Sequence, residues 1–364
     1  MEENVKNIPI NGLEVFDSFM QRTTGRDYEP IRSGIIDIDN ALGGGFVRGT
    51  LVMLGAAPGA GKTALCQWLF ENMAAAGQEV IFINLEMSPD QLIARSISRE
   101  IWKKEKKTIT ALKILRGYSW KEEERAIILR AAEEYKKSIA ANLAYLPIGE
   151  NAPIKNNKIT EIMGAVKAIC DDRKQAGKPA PLICIDYLQL VDGEERDTQE
   201  SLKRVIMALK REVAIKYNTV VMCIMAQSRA ANKTGEADQE SGRDTSAIEY
   251  SADIMLGLTY TAIEREEECK VKKNPDKADF ERERYTMKTI RLFKEAYYND
   301  RVAAKVRSKY PEAGTAKPFE AVTLKINKDR FGCGGSVDLL FDGRHMLFKQ
   351  VESEENYIQS NLAF

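Results

Sequence analysis

Short, nearly unbroken apolar runs alternate with longer stretches of helical spacing along most of this chain. The runs lie at 51–55, 79–83, 181–186, 219–226, 253–258 and 319–327. Helical spacing fits 62–76, 88–101, 121–140, 158–176 and 199–217. Apolar runs without polar alternation belong to strands buried on both faces, as in parallel sheets covered by helices. The pattern predicts an α/β fold with a mostly parallel central sheet flanked by helices. The last run differs: Val322, Leu324 and Ile326 alternate, a turn rich in Gly332, Gly334 and Gly335 follows, and Val337, Leu339 and Phe341 resume. That reads as a C-terminal β-hairpin extension.

Ahead of this pattern, Leu13, Phe16, Phe19 and Met20 form one apolar helix face. Such a helix either packs on its own domain or acts as an arm that docks on a neighbouring subunit. The expected layout is an arm or linker helix at 1–30, one large domain at 31–350 and a tail at 351–364. Within the domain, 261–318 is a charged insertion with 15 Lys/Arg against 11 Asp/Glu and interleaved Tyr and Phe. It suits either a solvated surface or a basic, aromatic surface for nucleic acid or a partner protein.

Composition narrows the chemistry. Formal net charge is zero over 364 residues, so any nucleic-acid site is a local surface rather than a property of the whole chain. The six cysteines form no CxxC pair and read as reduced core thiols. His345 is the only histidine, which argues against a zinc site or a histidine nucleophile relay. No apolar run is long enough to span a membrane, and the acidic N-terminus lacks a signal core, so the expected location is cytoplasmic.

The strand at 51–55 runs into Ala56-Ala57-Pro58-Gly59-Ala60-Gly61-Lys62-Thr63 and then, from Ala64 on, a helix. This is a phosphate-binding loop in its proper setting. Glycines let backbone N–H groups turn inward around an anion, and the helix start adds positive potential. Lys62 reaches the β/γ-phosphates and the Thr63 hydroxyl holds Mg²⁺. The implied cofactors are ATP and Mg²⁺. Ala56 stands where the strict motif has glycine.

Hydrolysis needs more than a phosphate cradle. Asp186 ends the run Leu182–Ile185 at a sheet edge where ligands bind, and it is the second metal-supporting group. Glu86 follows the second strand, whose end is expected beside the P-loop, and is the candidate base for the attacking water. Gln227 ends the strand after Val220 and is a candidate γ-phosphate sensor. Lys328 and Arg330, two apart, would lie on one face of an extended strand and supply positive charge across a subunit boundary.

The constellation resembles the RecA-like motor domain of DnaB-type hexameric replicative helicases over about 31–260 and 319–342. The resemblance rests on Ser33 through Asp39, the Gly43-Gly44-Gly45 turn, the P-loop and Leu85-Glu86-Met87-Ser88. It extends to Ile185-Asp186-Tyr187-Leu188-Gln189-Leu190, Gln227-Ser228-Arg229 and Lys328-Asp329-Arg330-Phe331-Gly332. It implies a RecA-like P-loop NTPase in which Glu86 is the base, Gln227 couples hydrolysis to movement, and Arg330 with Lys328 is a finger inserted into the adjacent subunit. It also implies that Arg243, Asp244 and Ser246 touch single-stranded DNA in a central pore, although Ser246 replaces the usual glycine. The expected partners are single-stranded DNA, further copies of the chain in a hexamer, and a loader or other replication protein. The family's N-terminal helical domain has no counterpart in residues 1–30, which leaves primase contact open. The expected function is an ATP-hydrolysing, ring-forming DNA helicase or translocase; the alternative is a RecA-fold ATP switch or loader that does not unwind.

Overall fold

A computed structural model describes residues 11–25, 28–56, 59–150, 152–226, 251–260 and 320–350. The sequence expectations for Ala57, Pro58, Gln227, Arg243, Asp244 and Ser246, the insertion at 261–318 and the tail at 351–364 lie outside these residues.

A nine-stranded sheet organises the domain. Its strands are β1 (Leu51–Ala56), β2 (Val80–Asn84), β3 (Leu143–Tyr145), β4 (Leu182–Asp186), β5 (Val221–Ala226), β6 (Ile254–Tyr260), β7 (Glu320–Asp329), β8 (Gly335–Asp342) and β9 (Leu347–Gln350), in the order β3-β2-β4-β5-β1-β6-β7-β8-β9. The strands from β3 through β6 are parallel, and β6 through β9 are antiparallel. The mostly parallel sheet and its antiparallel extension match the pattern in the sequence. One detail does not: the extension has three strands rather than two. Strand order, which no local pattern gave, puts β4 and β5 between β2 and β1.

Within the parallel strands, alternate residues serve opposite layers. Val52, Leu54, Phe82, Cys184, Met222 and Ile224 join one core; Met53, Ile81, Ile83, Ile183, Ile185 and Cys223 join the other. Both faces are buried, which is why these strands read as unbroken apolar runs rather than alternating ones. The first layer is filled by α3 (Lys62–Ala75), the second by α7 (Ile159–Gln175) and by α8 (Thr198–Met207), which continues as a π-helical segment, Ala208–Ile215.

Helix α3 is buried almost all round, as its apolar composition on every side demands. Its outer side is closed by the extension, where Trp68 stacks on Phe348 with ring centroids 5.9 Å apart. Helix α4 (Pro89–Glu105) starts with a capping box, Ser88 and Gln91, and Pro89 at its first position. A buried polar cluster joins α4 to α3. Arg99 pairs with Glu71, whose Oε1 also takes a bond from Gln67 Nε2 at 3.0 Å and from the Ser96 hydroxyl. Both charges are almost fully buried, so removing either would leave the other uncompensated, at about 3–5 kcal/mol.

The single histidine is a clamp. His345 Nδ1 meets Asp342 Oδ2 at 2.6 Å, its Nε2 meets Thr108 Oγ1 at 3.0 Å, and its ring stacks 4.1 Å from Trp102. It ties the β8–β9 turn to the segment after α4. The remaining helices are α1 (Gly12–Thr24), α2 (Ile36–Ala41), α5 (Ala111–Leu115) and α6 (Glu122–Ser138). Helix α1 buries none of its residues.

Candidate active site

The P-loop leaves β1 and enters α3. Gly59 and Gly61 take positive φ values of 83° and 88°, a conformation open to glycine and strained for other residues. A Cβ on Gly61 would also stand 2.9 Å from Phe341 Cε1, so β8 packs directly against the loop. Gly61 is the N-cap of α3 and offers no side-chain cap, and the first turn of the helix carries no acidic residue. With no side-chain cap, the backbone N–H groups of this first turn can serve an anion.

Asp186 closes β4 and is fully buried. It stands in register with Asn84 at the end of β2. Asn84 Nδ2 donates to Asp186 Oδ2 at 3.2 Å, while Asn84 Oδ1 accepts from Glu86 N at 2.9 Å and Met87 N at 2.5 Å. Leu85 N donates to the Asp186 carbonyl at 2.7 Å. These bonds fold the chain after β2 toward β4 and bring Glu86 into the electrostatic neighbourhood of Asp186. The expected approach of Glu86 to the P-loop is made by a turn over β4, with α3 carrying Lys62 and Thr63 toward it.

Burial pushes the Asp186 carboxyl above its ordinary range. The nearby Thr63 hydroxyl pulls it back, the Glu86 charge raises it again, and Lys62 and Asn84 lower it. These causes place four sequence-derived residues, Lys62, Thr63, Glu86 and Asp186, at one site. Asp186 Oδ1 is buried without a hydrogen-bond partner among the described residues. An orphaned carboxylate oxygen beside a threonine hydroxyl, next to a loop shaped for phosphate, fits a hard divalent cation such as Mg²⁺. Asp186 and Thr63 would hold it, and it would neutralise phosphate charge.

Two residues escaped the sequence reading. Asn84 is the polar end of an otherwise apolar strand, and that was its only signal. Arg95, on α4, is half-buried, and burial lowers its guanidinium below the usual value while Asp186 and then Glu86 pull it up. A cation between the small residues Ala94 and Ser96, in the helical stretch that follows the candidate base, was the available clue.

The cation pair expected to act across a subunit boundary lies away from this protomer's P-loop. Lys328 lies in β7, while Arg330 is the first residue past it. The ladder shifts between Met255 and Leu256, which face Lys328 and Ile326, so Asn327 is bulged. Asp329 is level with Ile254, which precedes Met255 opposite Val52–Met53 at the start of β1. Arg330 is therefore at the edge where β1 begins, and the P-loop is at the edge where it ends. A 540 Å³ cavity also opens at the edge where the strands begin, lined in part by Arg48, Gln78, Pro179 and Asn218; it contains none of the candidate catalytic residues.

Among the described residues, no helix is long and apolar enough to cross a membrane. The family model described as DnaB-like helicase C-terminal domain matches residues 30–350. Similar curated proteins include a probable replicative DNA helicase of Trieres chinensis, 25% identical over 71% of this chain and 54% of its own length. Another is a probable plasmid replicative DNA helicase of Chlamydia muridarum, 29% identical over 68% of this chain and 54% of its own length. The chain thus spans about half the length of these relatives. Among solved structures, an ATPase domain superposes with a TM-score of 0.63 at 21% identity, over 94% of this chain and 100% of that one. A DnaB-like replicative helicase described with its primase interactions gives 0.62 at 20% identity, over 95% and 68%. Both likenesses support the RecA-like fold.

Proposed function

This chain belongs to the DnaB-like helicase C-terminal domain family, and we propose that it is the motor of an ATP-driven, ring-forming helicase that moves on single-stranded DNA. ATP and Mg²⁺ occupy the P-loop site. Lys62 holds the terminal phosphates, Thr63 and Asp186 hold the metal, and Glu86 takes the proton of the attacking water. Gln227 follows Ala226, which pairs with Ala56 at the end of β1, a register that supports a sensor beside the P-loop. The pore contacts are Arg243, Asp244 and Ser246. The names of the relatives favour this reading over a switch that does not unwind, and a cytoplasmic location goes with it.

One observation carries the oligomeric part. Arg330 and the P-loop stand at opposite ends of β1, whose six residues span about 20 Å. An arginine cannot bridge that length within one protomer. A second copy, stacked so that its starting edge meets this protomer's P-loop edge, would bring the cation to the phosphate. Repeated, that contact is heterologous and closes into a ring, for which a hexamer is the proposed size. The exposed Leu13, Val15, Phe16 and Phe19 of α1 support its role as the arm that docks on the neighbour.

The test is ATPase turnover with and without oligo-dT. Single-stranded DNA should stimulate it, and Lys62→Ala should remove it. Equal turnover with and without DNA would count against the motor. Particle mass with a non-hydrolysable ATP analogue and oligo-dT should correspond to six chains.

A further inference from the structure

Arg330 is not simply displayed on a loop. Asp253 holds it from two directions. The Arg330 backbone N–H donates to the Asp253 carbonyl at 3.0 Å, and Arg330 Nε lies 3.6 Å from Asp253 Oδ1. The same carboxylate is pinned from behind. Its Oδ2 accepts from Leu51 N at 2.8 Å, and Asp253 N donates to the Leu51 carbonyl at 2.9 Å, which fixes it to the first residue of β1. Lys210, from the π-helical segment, pairs with Oδ1. The Asp253 side chain is 9% exposed and that of Lys210 12%, whereas that of Arg330 is 48% exposed.

The chemistry of this junction is specific. A nearly buried carboxylate, bonded to the start of β1, stands at ion-pair distance from Nε, the guanidinium nitrogen nearest the backbone. The terminal nitrogens are the ones that form the bidentate fork to phosphate. Lys210 shares Oδ1, so Asp253 is already neutralised and its pull on Arg330 is moderated. The Asx turn after β7, where Phe331 N donates to Asp329 Oδ1 at 2.8 Å, fixes the main chain on the other side.

We infer that Asp253 is a positioning residue for the finger: it aims Arg330 outward from the starting edge of the sheet, and Lys210 sets how tightly it holds. The inference rests on the trans role of Arg330 proposed above. Misplacing a reacting group by about 1 Å can cost about 10²-fold, so the aim of a half-exposed arginine matters to turnover.

The experiment is a double-mutant cycle on the assembled, DNA-stimulated ATPase. Arg330→Ala should lower kcat by about 10³-fold or more. Asp253→Asn keeps an acceptor for Leu51 N but loses the charge; it should lower kcat about tenfold, with KM for ATP nearly unchanged. The double variant should be no worse than Arg330→Ala alone. Full kcat in Asp253→Asn, or a double variant reduced by the product of the two effects, overturns the inference while leaving the finger intact. Full kcat in Arg330→Ala instead overturns the trans reading, and this inference with it. If Asp253→Asn does not assemble, Lys210→Met probes the same junction by leaving Asp253 to Arg330. Its loss of turnover should vanish in the Arg330→Ala background; no loss, or equal losses in both backgrounds, overturns the inference.

Discussion

Two aspartates sit at opposite edges of one sheet, and their surroundings are mirror cases. Asp186, where β4 ends, is fully buried with one oxygen unpartnered among the described residues and a neighbouring carboxylate, Glu86, raising its pKa. Asp253, just before β6, has both oxygens engaged, by a backbone N–H, a lysine and an arginine. The first would be completed by a cation from solution. The second is a completed shell, and in the ring proposed above its arginine would serve the neighbouring protomer. On that proposal each protomer carries half a reaction centre at each edge, and stacking copies edge to edge would make whole ones.

The sharpest way to break the comparison is at the incomplete edge. Glu86→Gln keeps the shape and removes the proposed base, so turnover should fall by about 10²–10⁴-fold with nucleotide binding retained. Unchanged turnover would move the base elsewhere.

The next test sets the two aspartates against each other in metal-free thermal melts. Asp253→Asn should destabilise by about 1.5–3 kcal/mol, the usual worth of charged hydrogen bonds. Asp186→Asn should have the opposite sign and raise the melting temperature at neutral pH, because it removes a buried charge that the fold disfavours. Two losses of equal size would erase the distinction.

The smallest expected effect is the pH dependence of that second change. Asp186 has a folded pKa above its unfolded one. Between the two values the folded protein binds a proton that the unfolded chain releases, so metal-free stability falls as pH rises through that window and recovers on acidification. The advantage of Asp186→Asn should therefore shrink toward mild acid. Mg²⁺ affinity should run the other way and weaken as the carboxyl protonates. A constant difference between the two proteins across this range would place the cost outside Asp186.

Much of the site was legible locally. The P-loop, Asp186 and Glu86 follow strand ends, and a strand end marks the ligand edge of an open sheet before any strand order is known. The hairpin was visible because its two polarities alternate. Asn84 and Arg95 were not legible, since each acts through a neighbour distant in sequence. Asn84 bridges β2 to β4, 102 residues away, and Arg95 takes its environment from Asp186 and Glu86. The sole histidine argued against histidine-based chemistry; its structural use, between Asp342 and Thr108, was not legible, because Thr108 is 237 residues away.

The sequence by itself determined which residues are candidates to grip a triphosphate, because they lie in one contiguous turn and at the ends of apolar strands. Only the tertiary structure decided where the second cation goes. Strand order, the β-bulge at Asn327 and the Asp253 junction put Arg330 a full strand length from its own P-loop. That separation arises from pairings between residues up to some two hundred positions apart, and no local pattern encodes it.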